Sequence, residues 1–241
     1  SIFPETNLTP YDRLWADNST SNDRLKVLTS LIDTGPKFPS LIVTSVEGLT
    51  FKTISKTLLT KCSMQLDKGA EIRATDIQEQ WARMGYRKDD SVQIPGTFSQ
   101  RGGILDIFPA NLSLPIRLEL FGNKVDILNH FDPSTQRSIK PVETVLISPA
   151  VEILPIASGH ELLESYISKM DFNRCSTSTK YRVMEDITEI FSGTTGSQSY
   201  LYNGFINSES LLNHIDDNHM VILDNETHIS LSGNSLDQRN E

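Results

Sequence analysis

Between Asp90 and Pro149 the chain runs in short β-rich stretches punctuated by Gly, Pro and Asn, and this pattern restricts the region to an antiparallel sheet. Strands are expected at 91–94, 103–108, 115–121, 124–131 and 144–147. Phe121-Gly122-Asn123-Lys124 reads as a tight hairpin turn, with Gly at the first central position as a type II′ turn requires. Just upstream, 75–85 reads as a helix. Asp76 would cap it, Ile77, Trp81 and Met84 would share one side, and Gly85 would end it.

The flanks have a different grammar. Asn18-Ser19-Thr20-Ser21-Asn22 can cap a helix starting near Asp23, with Leu25, Leu28, Leu31 and Ile32 on one face and Pro36 and Pro39 ending it. Leu41-Ile42-Val43-Thr44 lacks alternation, as expected of a strand buried on both faces of a parallel sheet. Ser45 would then cap a helix over 48–59, a strand-to-helix step of nucleotide-binding α/β type. After residue 150 helical spacing returns over 158–192, followed by a loop at 193–199. Strands are expected at 200–202 and 220–223, a helix at 210–215 between them, and a frayed polar tail from about 230. The fold class expected is α/β with an inserted β-rich α+β domain. The insert would span 66–149, and 1–65 with 150–241 would form the two halves of the host.

A search for chemistry returns little. A phosphate-binding loop needs GxxxxGK followed by Ser or Thr, and the pair Gly102-Gly103 has no such Lys. Met220-Val221-Ile222-Leu223-Asp224 has the outline of a magnesium-binding strand end. Without a phosphate loop it reads as an ordinary buried strand running into a polar turn. His130, His160, His214, His219 and His228 form no ligand spacing, and Cys62 and Cys175 read as reduced structural thiols. No catalytic residue, cofactor or metal is therefore expected. The 22 basic residues against 31 acidic ones give a net charge of −9, which opposes a broad nucleic-acid footprint. No apolar run reaches the length of a membrane span, and a cytoplasmic setting is expected. The first residue is Ser rather than Met, so a longer natural chain is expected.

One stretch is distinctive: Arg101-Gly102-Gly103-Ile104-Leu105-Asp106-Ile107-Phe108-Pro109-Ala110-Asn111, then Pro115-Ile116-Arg117-Leu118-Glu119-Leu120-Phe121-Gly122, then Phe131-Asp132-Pro133-Ser134-Thr135-Gln136-Arg137-Ser138. It closely resembles the domain shared by the excision-repair protein UvrB and the bacterial transcription-repair coupling factors (Mfd). The resemblance is specific over 81–149, with Trp81 and Met84-Gly85-Tyr86 fitting as well. It is fainter elsewhere, as at Thr9-Pro10-Tyr11-Asp12. The FDPSTQRS ending resembles the coupling factors more than UvrB. The resemblance implies a degenerate helicase-like α/β host and an insert that recruits the damage-recognition protein UvrA. It carries three UvrA-binding positions onto Arg101, Arg117 and Phe121. RNA polymerase and DNA would be met only through parts of the longer protein. A UvrB-type DNA-binding or ATP-dependent translocase domain, its motor motifs outside these residues, is the alternative.

Strand parity bears on the same residues. Side chains alternate between faces, so Ile116, Leu118 and Leu120 oppose Arg117, Glu119 and Phe121. If the aliphatic set packs on the core, Phe121 stands outside beside charge, either as an interface anchor or as a ring covering its own turn. Pattern alone leaves both open, and the resemblance favours the anchor. For Arg101, pattern alone favours an intramolecular salt bridge. Glu119 reads as the cross-strand partner of a Lys or Arg.

Overall fold

The computed structural model describes residues 1–6, 18–33, 41–152, 154, 164–165, 167–173, 175–191, 207, 209–216 and 219–240. In chain order the elements are β1 (Ile2–Phe3), α1 (Asn18–Ile32), β2 (Val43–Thr44), α2 (Val46–Thr50), α3 (Lys56–Cys62), β3 (Met64–Asp67) and α4 (Ala74–Arg83). Then follow β4 (Arg87–Lys88), β5 (Thr97–Arg101), β6 (Ile104–Phe108), β7 (Ile116–Phe121), β8 (Lys124–Phe131), β9 (Ser138–Pro141) and β10 (Thr144–Ile147). Last come α5 (Thr177–Phe191), a 3-10 turn (Leu211–His214) and α6 (Glu226–Asn240).

Strands β4 to β9 form one six-stranded sheet in chain order, antiparallel throughout except for the parallel β4–β5 pair. The alternation of the sequence decides its faces. Phe98, Leu105, Ile107, Ile116, Leu118, Val125 and Leu128 point to one side, where they meet Ile77 and Trp81 of α4 and Leu66, Val145 and Ile147 of the β3–β10 ribbon. Trp81 is fully buried, its ring edge-on to Phe98 at 5.6 Å between centroids. Burying each such large side chain contributes about 1.5–3 kcal/mol relative to leaving it in water.

Helix α4 matches its expected face but not its expected cap. Arg73 occupies the N-cap without a side-chain hydrogen bond, and Asp76 sits in the first turn, where its charge suits the helix dipole. Gly85 follows at φ 87, and a Cβ there would meet Val151 Cγ2 at 2.9 Å. Strand 91–94 does not form. The sheet begins instead with β4 and β5, whose run TFSQR has too few apolar residues to announce itself.

The flanks correct several expectations. Leu41 and Val43 are more than half exposed, because among the described residues β2 pairs only with β1 and is not covered on both faces. Ser45 does cap a helix, accepting from the Gly48 amide at 3.1 Å. The expected single helix 48–59 is split into α2 and α3, with the buried pair Thr53-Ile54 between them. Met220 to Leu223 form no strand and are exposed, and residues 226–240 are helical rather than frayed. Helix α1 begins at Asn18, five residues before the expected start, and buries Leu25, Leu28 and Leu31. The elements expected at 193–199 and 200–202, and Thr9-Pro10-Tyr11-Asp12, lie outside the described residues. At the coarse level the chain is mixed α/β with several sheets.

Candidate functional site

The two hairpins of the central sheet turn at the same end. The β5–β6 turn holds Gly102 and Gly103, and the β7–β8 turn holds Gly122 and Asn123. Gly122 has φ 64 and Asn123 does not take positive φ, as a type II′ turn needs. A Cβ on Gly103 would lie 3.1 Å from the Leu120 carbonyl oxygen, so glycine lets the two hairpins approach. The register between β7 and β8 slips after Glu119, with Asp126 as the extra residue on β8. Because the bulge is on β8, the parity of β7 survives. Ile116 and Leu118 are fully buried, whereas Phe121, at the end of the strand, is 81% exposed.

The face opposite α4 carries Thr97, Ser99 and Arg101 of β5, Asp106 and Phe108 of β6, and Arg117, Glu119 and Phe121 of β7. Val92, Phe108 and Phe131 make a small apolar cluster there. Asp106, 1% exposed, is the centre of charge. Arg117 lies directly across from it, donating from Nε to Oδ1 at 2.7 Å and from Nη2 to Oδ2 at 2.8 Å. Arg101 donates from Nη2 to Oδ2 at 3.1 Å. One buried carboxylate therefore joins the two arginines that the sequence singled out.

Their environments differ. The Arg117 side chain is 14% exposed, its guanidinium stacked 4.6 Å from the Phe131 ring centroid, with Nη1 donating to the Gln136 carbonyl at 2.9 Å. Its hydrogen bonds to the Asp106 carboxylate hold its pKa above the ordinary arginine value, against the lowering effect of burial. Arg101 is 54% exposed. The salt bridge that pattern alone favoured for Arg101 is present, yet about half of its side chain still faces solvent. Glu119 stands opposite Ile104 and Ile127 rather than opposite a cation, which corrects that expectation.

The FDPSTQRS segment supports this arrangement. Asp132 Oδ1 accepts from the amides of Ser134 and Thr135, and the Asp132 carbonyl accepts from Gln136 N at 2.7 Å. Gln136 takes φ 60, unusual for a side chain of its size, and its Nε2 donates to the Pro133 carbonyl at 2.7 Å. The resulting turn delivers the Gln136 carbonyl to Arg117. Asp106, Phe131 and Gln136 were not singled out from the sequence. Asp106 had left a signal, a lone carboxylate inside the apolar run ILDIF, where a charge needs a partner. The positive φ of Gln136 had left none.

Among the described residues no group of His, Cys, Asp or Glu could hold a metal ion, and no helix is long and apolar enough to cross a membrane. Cys62 and Cys175 are free thiols, and burial raises the pKa of Cys62.

The open six-stranded sheet turns one aromatic and one half-exposed arginine outward at its hairpin end, and residues 64–153 match the family model of the UvrB interaction domain. About two thirds of the chain is similar to transcription-repair-coupling factors. It is 32% identical to that of Myxococcus xanthus over 152 residues, 63% of this chain and 12% of the relative. It is 30% identical to that of Bacillus subtilis (strain 168) over 179 residues, 69% and 15%. With that of Escherichia coli (strain K12) the identity is 29% over 157 residues, 65% and 13%. The chain thus spans only 12% to 15% of the length of these relatives.

Proposed function

We propose that this chain is the UvrB-homology module of a transcription-repair coupling factor, and that it recruits UvrA through Arg101, Arg117 and Phe121 without catalysis of its own. Residues 66–149 are then the docking insert, and 1–65 with 150–241 the halves of a degenerate helicase-like host. RNA polymerase and DNA are engaged by other parts of the longer protein, in the bacterial cytoplasm. The observation that carries the reading is Phe121. A phenyl ring 81% exposed at a hairpin tip covers little of its own fold, and aromatic residues with Arg are what protein interfaces concentrate.

The three residues have different parts. Phe121 offers apolar area, Arg101 offers donors, and Arg117, held by Asp106 and Gln136, keeps the face in shape. The test is capture by purified, immobilised UvrA. The unaltered chain is expected to bind, and the combined change of Arg101, Arg117 and Phe121 to Ala to abolish capture. Undiminished capture of the triple variant would remove the reading.

A further inference from the structure

We propose that Asp106 is a positioning residue of the docking face, its buried carboxylate fixing the Arg101 guanidinium so that the remaining donors meet an acidic group on the partner. The inference rests on the UvrA-docking reading. Asp106 is 1% exposed and cannot itself touch a partner. It is gripped at both oxygens by Arg117, which is in turn held by Gln136 and Phe131, so its place is set by the fold. Arg101 meets it through a single Nη2 contact at 3.1 Å. A guanidinium is a rigid planar fork with five donors, so anchoring one nitrogen orients the others, and these lie on a side chain 54% exposed. The group that fits such a fork is a carboxylate, which it can bind with two parallel hydrogen bonds. Without Asp106 the same charge would sweep through many rotamers and lose more entropy on docking.

A double-mutant cycle with purified UvrA separates positioning from mere support. Asp106→Asn keeps the shape and removes the charge. It is expected to weaken binding by roughly tenfold when Arg101 is present, and by less than about twofold in the Arg101→Ala background. In the Phe121→Ala background the roughly tenfold loss should persist, because the ring does not touch Asp106. An equal loss with and without Arg101 would overturn the positioning role and leave docking standing. Failure of the unaltered chain to bind UvrA would overturn both. If Asp106→Asn does not fold, the unaltered chain still decides through the rotation of arginine side chains followed by NMR. The Arg101 guanidinium is expected to rotate more slowly than that of the exposed Arg87, and equal rates would overturn the proposal.

Discussion

The molecule buries the same ionic device twice, once in the flank and once in the sheet. Arg24 donates from Nε to Glu152 at 2.8 Å and from Nη1 to the Pro4 carbonyl at 3.0 Å, with its guanidinium 4.1 Å from the Phe3 ring centroid. Arg117 does the same with Asp106, the Gln136 carbonyl and Phe131. The difference is the second partner of the carboxylate. On Glu152 it is the Thr53 hydroxyl, 2.6 Å away and fully buried, while on Asp106 it is Arg101, half in water. Sealed, the device ties together the start of the chain, α1, the α2–α3 connection and the segment after β10. Left open on one side, it presents a charge. Burial of an ion pair costs desolvation that its attraction scarcely recovers, so neither pair is explained by stability alone.

The comparison makes graded predictions. Glu152→Ala leaves Arg24 charged and enclosed, and should cost about 3–5 kcal/mol of stability in urea unfolding without altering UvrA affinity while the chain is folded. A loss below about 1 kcal/mol would mean that Arg24 finds water. Arg117→Ala should cost about 3 kcal/mol and weaken UvrA binding as well, since it leaves the buried Asp106 with only its single contact to Arg101. Unchanged stability with lost binding would instead make Arg117 a direct contact. Phe121→Ala should remove roughly 2 kcal/mol of binding, near thirtyfold, with stability within about 0.5 kcal/mol of the parent. A large drop in melting temperature would show the ring to be core.

The smallest effect expected is one of pH, and it is confined to the flank. His214 is 1% exposed, with Nε2 donating to the Ile54 carbonyl at 2.8 Å and Nδ1 without a partner. Burial lowers its pKa below the ordinary 6.5. The unfolded chain therefore takes up the proton first. The contribution is whole above pH 6.5 and is lost as pH falls below it towards the depressed value. Thermal melts between pH 7.5 and 5 should show this slope, and His214→Gln should flatten it. An unchanged slope in the variant would assign the acid sensitivity elsewhere.

Strands β6, β7, β8 and β10, helix α4 and the outward place of Phe121 were legible in the sequence, whereas β9, fully exposed and without an apolar alternation, was not. The legible elements follow from periodicity, a property of the local backbone: a strand puts alternate side chains on opposite faces wherever it lies. The same logic failed at Leu41 to Thr44 and at Met220 to Leu223, because an apolar run states what could be buried and not whether anything arrives to cover it. Only the tertiary structure decided that Arg101 and Arg117 share Asp106, that Phe131 lies under Arg117, and that Gln136 turns its carbonyl towards it. Those contacts join β5, β6, β7, β8 and the loop after it, and their register is set by packing among distant residues. Parity could say which way Arg117 points, whereas its enclosure depended on what the rest of the chain brought to that face.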